Sequence, residues 1–241
     1  MEPLVTVLLA VTLLFFLLML FLKITKKFIE LLLTVNILLM VLVAVIGLIV
    51  YMDAMALKKR FPNDPKLLVL EDNGVVLTAV RLKGMAEAPD YSTETDISRY
   101  QQALNKQAFD DLVGDNYKVF VVSLESLLPM DNVTIGTLPL GQHDLLILLY
   151  AEDAITIFAE LSLNSTNPTF VPEYAAQLTE QFGSSAEFKS RLFGVILGDA
   201  IGKDSLFIIR KFKEGKVAIR PETVVFSFLK LIPQRVVDAM V

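Results

Sequence analysis

The chain has one imidazole, His143, and Asp144 follows it, so any acid–base chemistry that needs a histidine must run there. A Ser–His–Asp arrangement would use His143 as its base. The Gly-x-Ser-x-Gly turn that presents a nucleophilic serine is absent, however. Glu152 and Asp153 follow a few residues on, and two carboxylates can do acid–base work unaided. Next to an expected strand start, His143 reads more simply as a surface or capping residue. Zero cysteines exclude a disulfide framework, thiol nucleophiles and cysteine-ligated zinc or iron–sulfur centres, and a single histidine excludes a multi-histidine metal site within one chain. Asp90, Glu94 and Asp96 share a loop, but a calcium-binding loop of the EF-hand type needs alternating acids, a central glycine and a closing glutamate, and that pattern is missing. No catalytic residue, metal or cofactor is assigned.

Gly194, Gly198 and Gly202 fall at helical spacing in LFGVILGDAIGK. Ending in Gly202-Lys203, the stretch invites a phosphate-loop reading, which fails because Leu197 replaces the first glycine and Asp204 the Ser/Thr. On a helix the three glycines line one face, where another helix or a sheet can approach closely, at about 1 kcal/mol each in lost helix propensity. Close packing inside the domain is the favoured reading, with a groove for a partner second.

Asn36 and Thr12 are polar residues inside apolar runs. Leu4–Leu22 is uncharged, and at 1.5 Å per residue it covers about 28 Å, close to a bilayer core of about 30 Å. A second uncharged run, Leu31–Val50, ends at Tyr51, an aromatic suited to the interface. With Lys23, Lys26 and Lys27 between them, the two runs are expected to form a transmembrane helical hairpin over residues 1–52. A cleaved signal peptide fits poorly, because the run lacks a basic start and a small-residue cleavage pattern. Folding the hairpin about Ile24–Thr25 would bring Asn36 level with Thr12. Such a pair contributes about 0.5–2 kcal/mol in lipid. Asn36 could equally bond to another chain's span, or to a carbonyl of its own helix. Three lysines follow the first span and none precedes it, which places the lysine loop in the cytoplasm and the globular domain outside. Lys58, Lys59, Arg60 and Lys66 beyond the second span weaken that bias.

Residues 53–66 read as a linker, with Phe61-Pro62-Asn63-Asp64-Pro65 as its turn-rich centre. Residues 67–241 read as one α+β domain. KLLVLED-NG-VVLTAVRL predicts a β-hairpin, because Asn73-Gly74 tolerates the positive φ of a type I′ turn. A helix follows from Ile97, capped by Asp96 and ended by Gly114, and then a buried strand over 117–124. The stretch 145–163 reads as two strands joined at Glu152-Asp153, with one long helix as the alternative. Pro172 opens a helix, and Ser184–Glu187 is a capping box for the next. SLFIIRKFK-EG-KVAIR reads as a second hairpin, Pro221 opens a last helix, and a short helical tail follows Pro233.

Hydrophobic residues make up 54% of the 241, concentrated in the first 51. Residues 61–241 carry sixteen basic and twenty-four acidic side chains, a net charge of −8, which disfavours nucleic acid as a partner. The basic run Arg210–Lys213 is better read as solvated strand residues than as a lipid contact. Together these features point to a membrane-anchored, non-enzymatic α+β domain. It would bind or scaffold a protein at the membrane surface, with the bilayer and another membrane protein, or a second copy of itself, as partners. The rival is a membrane-bound hydrolase or lipid-modifying enzyme using carboxylates and His143.

Overall fold

The computed structural model describes residues 2–84, 87–163 and 168–235, so the tail expected after Pro233 lies outside the described residues beyond Arg235. By contacts the chain divides into two units, residues 1–52 and 53–241. Helix α1, Glu2–Arg60, runs unbroken for 59 residues. Within it, Thr12–Arg60 is long and apolar enough to cross a membrane. The expected two-helix hairpin is therefore corrected to a single helix. The reason is local: the segment between the runs, KITKKFIE, holds no glycine, proline or other residue that reverses a chain. Thr25 Oγ1 donates to the Phe21 carbonyl at 2.8 Å and Thr34 Oγ1 to that of Glu30 at 2.8 Å, so both hydroxyls are satisfied within the helix. The linker shrinks accordingly. The helix continues through 53–60, and Lys58, Lys59 and Arg60 complement the negative end of its dipole.

Beyond it lie β1 (Lys66–Asp72), β2 (Val75–Leu82), β3 (Asp90–Tyr91), α2 (Glu94–Asn105), α3 (Phe109–Val113) and β4 (Lys118–Ser123). A small hairpin, β5 (Val133–Ile135) and β6 (Leu138–Leu140), leads to α4 (Gln142–Tyr150) and α5 (Ala154–Ser162). The chain ends with α6 (Val171–Phe182), α7 (Ser185–Lys203), α8 (Phe207–Lys213), β7 (Val217–Arg220) and α9 (Val224–Leu231). The main sheet has the order β3-β2-β1-β4-β7, with β1 and β4 parallel and the other pairs antiparallel. Alternating residues serve its two faces. Leu67, Val69, Val119 and Val121 pack under α2 and α3, through Tyr100, Ala103 and Leu112. Leu68, Leu70, Phe120 and Val122 meet the larger core built by α4 to α9. Burial on both faces explains why β1, β2 and β4 read as nearly continuous apolar runs.

The Asn73-Gly74 turn is present, with φ of 50° and 83°. Pro172 sits in the first turn of α6, and Ser184 caps α7 with Glu187 returning the bond. Three expectations are corrected. The helix expected from Ile97 starts at Glu94, because Thr93 rather than Asp96 is the cap and Asp96 completes the capping box, and it breaks before Phe109. Residues 145–163 are two helices, neither two strands nor one helix. Their alternating apolar pattern also fits a helical face of Ile155, Phe158 and Ala159, and Asp153 restarts the helix by accepting from Thr156 N at 3.1 Å. The first arm of the second hairpin is α8, whose Phe207 and Phe212 are buried; only β7 is a strand.

Candidate functional site

A cleft of about 410 Å³ opens at the β3 edge of the sheet, between α2 and α7. Three arginines line it: Arg99 of α2, which pairs with Asp96, and two from other elements. Arg81 lies near the end of β2, in register with Asp90. Arg191 comes from the second turn of α7, and its guanidinium carbon lies 4.5 Å from the ring centre of Tyr91 and 5.5 Å from that of Phe182. Stacking on aromatic faces fixes a guanidinium while leaving its in-plane N–H groups free to donate.

The walls are held by buried polar contacts. Ser190 is fully buried: its Oγ donates to the Ala79 carbonyl at 2.6 Å, accepts from Ser92 N at 3.1 Å and lies 3.0 Å from Thr78 Oγ1. This joins α7 to β2 and to the segment that leads into α2. Ala186 N donates to Glu94 Oε1 at 3.3 Å and so ties the two helix starts together. Burial alone would raise the Glu94 carboxyl. Hydrogen bonds from backbone amides and Ser184, with the charge of Lys189, outweigh it and leave its pKa below the ordinary value. Burial in turn lowers Lys189, against the pull of Glu94 and Glu152.

The carboxylates around the cleft already have partners. Asp90 pairs with Lys83 at 2.8 Å. Asp96 accepts from Thr93 N at 3.1 Å and pairs with Arg99 at 3.2 Å. Glu187 accepts from Ser184 N at 3.1 Å. Among the described residues Arg81 and Arg191 form no ion pair, and the Nε of each is buried without an acceptor. Two guanidinium groups without an ion-pair partner among the described residues, that of Arg191 stacked on aromatic rings, have the donor chemistry for a planar or tetrahedral oxyanion such as a carboxylate or a phosphate.

The residues singled out from sequence lie elsewhere. Thr12 and Asn36 share one helix, 24 residues or about 36 Å apart, so they cannot pair within one chain. Gly194, Gly198 and Gly202 do line a face of α7, but a Cβ at any of them would meet nothing within 4 Å. Close packing inside the domain is therefore corrected to an open surface, shared with exposed Val195 and Ile201. His143 is exposed on the first turn of α4 and lines none of the described clefts, while Asp144 accepts from Gly141 N at 3.1 Å. Asp153 bonds Thr156 and Ser185, so the geometry assembles no His143–carboxylate pocket among the described residues.

Sequence reasoning missed Arg81 and Arg191, which are 110 positions apart and belong to no motif. Only the register of β2 with β3 and the packing of α7 bring them together. No family model, curated protein or solved structure matches this chain.

Proposed function

We propose that the chain is a membrane-anchored binding protein whose globular unit captures an anionic group of a protein partner in the Arg81–Arg191 cleft. Leu31–Val50 is the run of α1 nearest the globular unit, and its 20 residues match one bilayer core of about 30 Å. Lys23, Lys26, Lys27 and Glu30 then occupy one headgroup layer, and Lys58–Arg60 follow on the other side. The hairpin count that put the globular domain outside no longer applies. Three basic residues on one flank against four on the other give no orientation. The first apolar run, Leu4–Leu22, needs cover of its own. That is the physical reason to expect assembly with another membrane protein or a second copy of this chain.

One observation carries the reading: Arg81 and Arg191 line one cleft and have no ion-pair partner among the described residues. The unit is net acidic, so anions are not drawn to it generally, and local charge must do the selecting. Tethering beside a bilayer raises the effective concentration of membrane partners, which lets a modest pocket serve. The test follows the arginine Nε–Hε NMR signals of the full chain in lipid nanodiscs, with inorganic phosphate or acetate added. Saturable shifts confined to Arg81 and Arg191, and lost in Arg81→Gln/Arg191→Gln, are expected. Arg220, stacked on Phe109 at 4.6 Å with a similarly unpartnered Nε, serves as the control. No shift, or equal shifts at Arg220, would overturn the assignment.

A further inference from the structure

Helix α9 turns one face inward and leaves an apolar stripe outside. Phe226 is buried, with its ring 5.7 Å from that of Phe212. Val224, Phe228 and Leu231, spaced i, i+4 and i+7, are 43%, 43% and 75% exposed. Three large apolar side chains on one short helix form a contiguous patch of the kind that marks an interaction face.

Both ends of α9 are held from elsewhere in the unit. Val225 N donates to Asp53 Oδ2 at 2.8 Å. Lys213 Nζ donates to the carbonyls of Leu229, at 2.9 Å, and Ile232, so the negative end of the helix is neutralised. The Asp53 contact bears on what covers the stripe. Asp53 directly follows Met52 in the chain, where the apolar run of α1 closes. The start of α9 is thus within one side chain's reach of the first charged residue after that run. Met55 is 49% exposed on the same stretch of α1, followed by exposed Lys58 and Lys59, a composition suited to a headgroup layer. At eight residues α9 is too short to span a bilayer, but an exposed apolar stripe on such a helix suits lying in its interface.

We infer that the Val224–Phe228–Leu231 face of α9 lies in the lipid interface beside the point where α1 leaves the bilayer, giving the globular unit a second membrane contact. This rests on the reading of α1 as a membrane anchor. The contact would fix how the unit is turned toward the membrane.

The chain has no tryptophan, so single tryptophans report cleanly. Three full-length variants, Leu39→Trp, Phe228→Trp and Tyr150→Trp, are reconstituted in phosphatidylcholine vesicles with some phosphatidylglycerol, with or without acyl chains brominated both near the headgroup and near the bilayer centre. Tyr150 lies at the opposite end of β1, where its hydroxyl donates to Asp72 at 2.7 Å. Strong quenching is expected for Leu39→Trp, and at least twofold quenching for Phe228→Trp relative to Tyr150→Trp. Leu231→Trp should repeat the Phe228→Trp result and guards against a local folding defect. Quenching of Leu39→Trp with none at Phe228→Trp or Leu231→Trp would overturn the α9 contact while leaving the anchor standing; the stripe would then be covered by protein, such as a second copy. No quenching at Leu39→Trp would overturn the anchor and this inference together.

Discussion

Lys118 has no exposed surface, yet it carries an ammonium group. In place of water it has the Pro221 carbonyl at 2.6 Å and the rings of Tyr117 and Phe226, 5.4 Å and 5.3 Å away. Burial pushes its pKa below the ordinary lysine value, Asp53 pulls it back up, and Arg60 lowers it further. In the unfolded chain the same group keeps its ordinary value. Between the lowered folded value and that ordinary value, the unfolded state therefore holds more protons. Stability must rise with pH across that window and level off above it. Denaturant titrations over the alkaline range should show this rise in the native protein, and Lys118→Met should flatten it. A rise unchanged in Lys118→Met would mean that the ammonium is hydrated in the folded state. Lys118→Ala should cost about 2–4 kcal/mol at neutral pH, since it empties packed volume and leaves the Pro221 carbonyl without its donor.

At the scale of elements, α7 invites the plainest substitution. Its three spaced glycines meet no neighbour, so their only energetic effect is lost helix propensity. Changing Gly198 or Gly202 to Ala should raise stability by about 0.5–1 kcal/mol, read as an upward shift in Tm. A loss of stability would restore the tight packing expected from sequence. Gly183, just before α7, behaves oppositely. Its φ is 86°, and a Cβ there would collide with the Glu187 carboxylate, so Gly183→Ala should break the capping box that starts the helix. What was legible in the sequence followed from chemistry contained in a few neighbouring residues. Asn73-Gly74 dictates its turn, Ser184 and Glu187 cap each other across one helical turn, and Pro172 can only begin a helix. The illegible parts needed distant partners. Leu145–Leu161 is apolar enough to satisfy either period, and burial of Leu145, Leu148 and Leu149 on one helical side decides the matter. The bilayer length of each run in α1 suggests a hairpin, although no glycine or proline lies between the runs to favour a turn. Arg81 and Arg191 carried no local signal because their meeting depends on the whole sheet.

At the scale of the molecule, an acidic α+β unit is joined to a helix that exposes two apolar runs, Leu13–Leu22 and Leu31–Met52, separated by a charged segment. Water cannot solvate such a surface without large cost: each Leu, Ile, Val or Phe side chain left exposed forfeits about 1.5–3 kcal/mol relative to burial. A bilayer removes that cost over one run, and the lysines between the runs mark where a single crossing would stop. The arginine cleft and the α9 stripe would then act close to the membrane, one on a partner's anion and one on lipid. Everything depends on α1 crossing once rather than turning back. Epitope tags at the two ends of the full chain, probed by protease in sealed vesicles after a carbonate wash, test this most directly. The chain should stay with the vesicles, and the two tags should lie on opposite sides of the membrane. Release by carbonate, or both tags on the same side, would contradict the account.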